Sequence, residues 1–160
     1  MRRESLLFLA IGIAILFATG GALVYWKRSA NAQRFMPSIH ASEDAWDIPR
    51  DLLGRLIYQE SHFLSEIING ERISGAGAVG IAQIVPKWHP DVDPLDPYAS
   101  INYAGKYLSQ LKKQFGTWKL ALAAYNWGPG NLAKNLNKPG TWPQETLDYV
   151  REISKDVPVV

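Results

Sequence analysis

The chain has 160 residues, 47% of them hydrophobic and 20% charged, enough for one hydrophobic core and too few for two. It contains no cysteine, so disulfides, thiolate-bound zinc and thiol catalysis are excluded. Its net charge of +2 is local: setting Arg2, Arg3, Lys27 and Arg28 aside from 17 basic residues and Glu4 from 15 acidic ones leaves 13 against 14, without the basic face of a nucleic-acid binder.

The first predicted element is a membrane anchor. Residues 6–26, LLFLAIGIAILFATGGALVYW, carry no charge. As a helix at about 1.5 Å per residue they span a hydrocarbon layer of roughly 30 Å. Tyr25 and Trp26 suit an interfacial aromatic belt, with Lys27 and Arg28 among the headgroups. Residues 1–28 therefore read as one N-terminal transmembrane helix with short flanks. A cleaved signal peptide ending at Ala30-Asn31-Ala32 is the rival reading, but the apolar run is long for one and charges precede the cleavage site. Basic pairs flank both ends, so charge does not set the orientation.

Residues 29–41 show no sustained period and contain Pro37; they read as a linker, with the folded domain at 42–160. Asp47 and Pro49 signal the start of a helix over about 48–64, with Leu52, Leu53, Leu56, Ile57, Phe63 and Leu64 at helical spacing. Gly70, Gly75, Gly77 and Gly80 make the next stretch a loop, and Pro90, Pro94 and Pro97 among Asp91, Asp93 and Asp96 make a second irregular one. Ser100 is a candidate cap for a helix burying Ile101, Ala104, Tyr107 or Leu108, Leu111 and Phe115 and stopping at Gly116. Thr117 opens a helix apolar on nearly every side, and so central, which breaks at Gly128-Pro129-Gly130. A last helix, about 143–156, presents Leu147, Val150 and Ile153. No segment alternates as a strand does, so the fold class is mainly α.

Glu60 is the residue out of place, a carboxylate on the apolar face near its helix's C-terminus. Burial and the negative end of the helix dipole both raise its pKa, which is how a general acid is prepared. The bland alternative is a glutamate that curls into solvent or pairs with Arg55 or Arg72; for an arbitrary helix that reading prevails.

What favours the acid is the series LIYQESHF (56–63), SGAGAVGIAQI (74–84), DPYASINYAGKYL (96–108), AAYNWGPGNL (123–132) and PQETLDYV (143–150). In order and spacing these stretches, within about residues 42–154, resemble the motifs of the soluble lytic transglycosylase domain family. The resemblance implies a lysozyme-like α fold and cleavage of the β-1,4 bond between N-acetylmuramic acid and N-acetylglucosamine in peptidoglycan. It implies Glu60 as the catalytic acid and then base, with no cofactor and no metal. It further implies Ser61, Ser74, Gly80, Gln83, Tyr125, Asn126, Glu145 and Tyr149 as residues of the substrate site. Within that set, the Ser61 hydroxyl can hold the helix end and Asn126 brace its turn, while Gly77 and Gly80 would let the loop approach the sugar. Two positions depart from the pattern: Ala82 stands where the family usually has Met, a change that would widen a subsite, and Trp127 stands where a small residue is common, offering a stacking platform or core filler.

Other candidates carry less. Asp91, Asp93 and Asp96 lack the glycine and terminal glutamate of a calcium loop, and His40, His62 and His89 have no metal spacing. Trp88, Trp118 and Trp142 read as core or rim. The expected protein is a single-pass membrane enzyme with its catalytic domain on the cell-wall, periplasmic side. Its partners are peptidoglycan strands, the membrane through residues 6–26 and no nucleic acid; a larger cell-envelope or phage assembly stays open. Two alternatives stand beside this. A lysozyme-type hydrolase would need a second carboxylate, for which Glu66, Glu71 and Glu145 are available. A non-catalytic wall-binding module would have no reason to keep Glu60.

Overall fold

A computed structural model describes residue 27, residues 29–157 and residue 159. The expected membrane-spanning run, residues 6–26, lies outside these, and among the described residues no helix is long and apolar enough to cross a membrane. The described chain is mainly helical: α1 Ala30–Ala45, α2 Leu52–Ser61, α3 Ser65–Ile68, α4 Pro97–Phe115, α5 Trp118–Trp127, α6 Pro129–Asn135 and α7 Gln144–Ser154. The β structure among these residues is one isolated antiparallel bridge, Val79 to Ile84.

Helix α1 corrects the linker expected at residues 29–41. Ser29 caps it, its side chain accepting from the Ala32 N–H at 3.0 Å. Ala32, Phe35, Ile39, Ser42 and Glu43 fall on one face and are buried. Pro37 lies inside the helix, where it forfeits a backbone hydrogen bond at a cost of about 3 kcal/mol. Burying Phe35 and Ile39 at about 1.5–3 kcal/mol each offsets that cost. The period was present in the sequence; the proline obscured it. Residues 30–41 thus belong to the folded unit rather than to a linker before it.

Trp46, Asp47 and Ile48 close α1 in a Schellman arrangement. The Trp46 N–H reaches Ser42 O at 3.1 Å and the Ile48 N–H reaches Glu43 O at 2.9 Å, with Asp47 left-handed at φ 53°. Asp47 therefore ends one helix rather than opening the next, and α2 starts later and stops earlier than the 48–64 expected. Asp96, not Ser100, caps α4, its Oδ1 accepting from the N–H groups of Tyr98 and Ala99 at 2.9 and 3.1 Å. Ser100 is buried, donating to the carbonyls of Asp93 and Pro94.

Helix α5 sits at the centre, against α4, α6 and α7, while α2 packs on α1, α7 and α4. Ala121, Leu122, Ala123 and Ala124 of α5 are fully buried. Helix α1 also lies close on α4, because Gly105 has no side chain: a Cβ there would stand 2.2 Å from Ser42 Oγ. The break after α5 is brief, since α6 restarts at Pro129. On α7 the buried residues are Thr146, Tyr149, Val150 and Ile153, whereas Leu147, expected on that face, is 40% exposed. Val150 and Ile153 face inward as expected, Thr146 is buried where Leu147 is not, and Tyr149 on the same face meets Glu60 of α2.

Candidate active site

Glu60 is the penultimate residue of α2, and the chain directly after it is strained. His62 and Phe63 are both left-handed, at φ 51° and 56°. Such conformations cost of order 1–3 kcal/mol each for residues other than glycine and persist where neighbouring contacts over-determine them. Ser61 supplies two of those contacts: its hydroxyl donates to Ile57 O at 3.0 Å and accepts from the Phe63 N–H at 3.2 Å. The His62 N–H reaches Tyr58 O at 2.7 Å, and the Tyr58 ring lies 4.7 Å from that of His62. Ser61 is wholly buried, so it is corrected from substrate contact to holder of the helix end.

The carboxyl of Glu60 meets α7 and α5. Tyr149 donates its hydroxyl to Glu60 Oε1 at 2.5 Å. Tyr125 donates to Ala82 O at 3.1 Å and lies near enough to Glu60 for the charge there to raise its own pKa. Part of Glu60's surface remains open, as access for a ligand requires. Desolvation of the carboxyl nevertheless dominates and moves its pKa from 4.5 to about 7; the Tyr149 hydrogen bond opposes this and the charge of Glu145 adds to it. Neither Arg55 nor Arg72 is among the described partners of Glu60; Arg55 instead donates to Lys155 O. A carboxyl desolvated to a pKa of about 7 and held by a phenol is suited to give and take a proton near neutrality. Tyr149 is buried and its pKa lies well above 10, from burial and then the nearby Glu60 charge, so it stays a donor throughout.

The glycine-rich loop is closed by its own hydrogen bonds. Ser74 Oγ accepts from the Ala78 N–H at 2.9 Å, and Val79 and Ile84 exchange backbone bonds at 2.9 and 3.0 Å. Gln83 turns the chain at φ 47° and donates its amide to Gly80 O at 3.1 Å. Gly80 has φ +77°, and a Cβ there would stand 1.9 Å from Pro94 O. The close approach that Gly80 permits is thus to the Pro94 carbonyl, not to open space. Around a Cβ of Gly77, by contrast, nothing lies within 4 Å.

Asn126 Oδ1 accepts from Thr146 Oγ1 at 2.7 Å, tying α5 to the start of α7 and so holding Tyr149 opposite Glu60. Glu145 is exposed, one helical turn before Tyr149, and its charge reaches Glu60. Ala82 is fully buried, so its small size does not widen an open subsite. Trp127 is half-buried with its ring 6.4 Å from that of Trp142, filling the rim of the core.

Some of the surroundings were not singled out from sequence. Rings of Tyr125 and Tyr107 lie 5.8 Å apart, those of Tyr107 and Tyr103 6.3 Å, and His89 Nδ1 meets the Tyr103 hydroxyl at 2.8 Å. This half-buried row runs outward from the Glu60 neighbourhood. The i, i+4 spacing of Tyr103 and Tyr107 was a readable signal. Among the described residues no group of three or more His, Cys, Asp or Glu could hold a metal ion. Asp93 and Asp96 are instead occupied by the backbone N–H groups of Leu95, Tyr98 and Ala99. His40 lies 3.6 Å from Asp51. Compared with known protein families, residues 37–147 match the one described as Transglycosylase SLT domain.

Proposed function

Since the chain belongs to the Transglycosylase SLT domain family, which its match over more than half its length shows, we propose that it cleaves the glycan strands of peptidoglycan to 1,6-anhydro-muramyl ends, with Glu60 as acid and then base. The observation that carries this is the carboxyl of Glu60, desolvated to a pKa of about 7 and bound by Tyr149.

In the first step the protonated Glu60 gives its proton to the glycosidic oxygen as the bond from that oxygen to the muramic anomeric carbon breaks, and the N-acetylglucosamine leaves with a free 4-hydroxyl. In the second, the ionised Glu60 accepts the proton of the muramic C6 hydroxyl while that oxygen bonds the anomeric carbon. No water is consumed and the acid is regenerated. A pKa near the working pH serves both halves. Tyr149 favours the ionised form that exists between them. The C6 hydroxyl, held in the same molecule, has an effective molarity far above that of an external nucleophile. Ser74, Gln83, Tyr125 and Glu145 are the residues proposed to face the glycan, and residues 6–26 are proposed to hold the enzyme in the membrane with this site toward the wall.

One observation favours a second reading. Glu60 senses the charge of Glu145, and a hydrolase of the lysozyme kind needs a second carboxylate. Mass analysis of muropeptides released from purified sacculi separates the two: the transglycosylase yields ends lighter by one water than the reducing ends of a hydrolase. Dominant reducing ends, lost on Glu145→Gln, would overturn the proposal in favour of hydrolysis.

A further inference from the structure

Helix α1 touches the two ends of α2, and each contact answers a local defect. At the start of α2 the chain provides no cap of its own: Asp51 is left-handed at φ 70° and its side chain makes no bond to the first turn. The orphan N–H groups of Leu53 and Gly54 are taken by Glu43 Oε1 at 3.1 and 3.3 Å. Glu43 is 1% exposed, with its second oxygen 3.3 Å from Arg50 Nη1. A carboxylate is thus buried at the end of α1 in order to cap the next helix.

At the other end, Asn31 Nδ2 donates to Phe63 O at 2.9 Å and to Ser65 Oγ at 3.0 Å. Phe63 is the second of the two strained residues after Glu60 and Ser61. Asn31, in the first turn of α1, meets the end of α2, while Glu43, in the last turn, meets its beginning. The two helices therefore run antiparallel with a polar tie at each end. Asn31 precedes the segment that matches the family, residues 37–147, so this tie is supplied by chain outside the match.

We infer that Asn31 and Glu43 are positioning residues, and that α1 is a brace which sets the place of Glu60 by holding its helix at both ends. The inference rests on Glu60 being the acid. A group that must reach a glycosidic oxygen and then a C6 hydroxyl tolerates little displacement, whereas substrate binding spread over the groove tolerates more.

The test compares Asn31→Asp and Glu43→Met, whose side chain has similar length but no oxygen to accept from Leu53 and Gly54, with the parent and with Glu60→Gln on soluble, uncrosslinked peptidoglycan strands, well below each variant's Tm. Asn31→Asp keeps the shape, removes the donor and suits the positive end of the α1 dipole, so the fold is retained. Each of the two variants should lose about tenfold in kcat with KM within about twofold, given that a 1 Å misplacement costs on the order of a hundredfold. Wild-type kcat in both, with only Tm lowered and Glu60→Gln silent, would leave the acid in place and overturn the brace. Full activity in Glu60→Gln would overturn both.

Discussion

Replacing Glu60 by glutamine tests the electrostatics of the site independently of turnover. The amide keeps the shape and can still accept from Tyr149, but it never ionises. In the parent protein, raising the carboxyl pKa from 4.5 to about 7 means that folding opposes ionisation, at a cost of roughly 3 kcal/mol once the group is charged in both states. The sign follows from proton binding. Between those two values the folded protein holds a proton that the unfolded chain has lost, so parental stability falls as pH rises and levels off above about 7. Glu60→Gln lacks that loss. Urea denaturation from acidic to mildly alkaline pH should show the variant close to the parent below pH 4.5 and more stable by about 3 kcal/mol above pH 7. Catalysis should be nearly abolished at every pH. A stability difference that stays flat across the range would mean that the carboxyl is not desolvated, and the account of Glu60 as a prepared acid would fail.

Tyr149→Phe removes the one hydrogen bond that lowers the Glu60 pKa, so the alkaline limb of the kcat/KM profile should move upward in pH; an unmoved limb would separate Tyr149 from the acid. A chain beginning at Ser29 should fold and remain active, while one beginning at Ala41 should lose helical circular dichroism and melt non-cooperatively. It forfeits the burial of Phe35 and Ile39, about 3–6 kcal/mol out of a typical 5–15. Gly80→Ala should destabilise by more than about 1–3 kcal/mol, since the added methyl meets a backbone carbonyl in a left-handed residue, and chemical denaturation measures it.

Much of the site was legible in the sequence because its signals are local. Glu60 stood out as a carboxyl on an apolar face, and five short stretches in series pointed to the family. The apolar period of α4 and α5 and the stop at Gly116 are likewise short-range facts of composition and spacing. Local evidence failed where a tertiary contact overrode it. Pro37 argues against a helix, yet α1 forms because Phe35 and Ile39 have a core to enter. Asp47 looks like a helix start, yet it ends α1, because Glu43 from that helix supplies the cap that α2 lacks. The roles of Ser61 and Gly80 also depended on neighbours distant in the chain or hidden in burial: Ser61 is enclosed by its own helix end, and Gly80 makes room for Pro94. A side chain's chemistry and period are written in the sequence; its solvation, and hence the pKa of Glu60, belongs to whatever the folded chain brings against it.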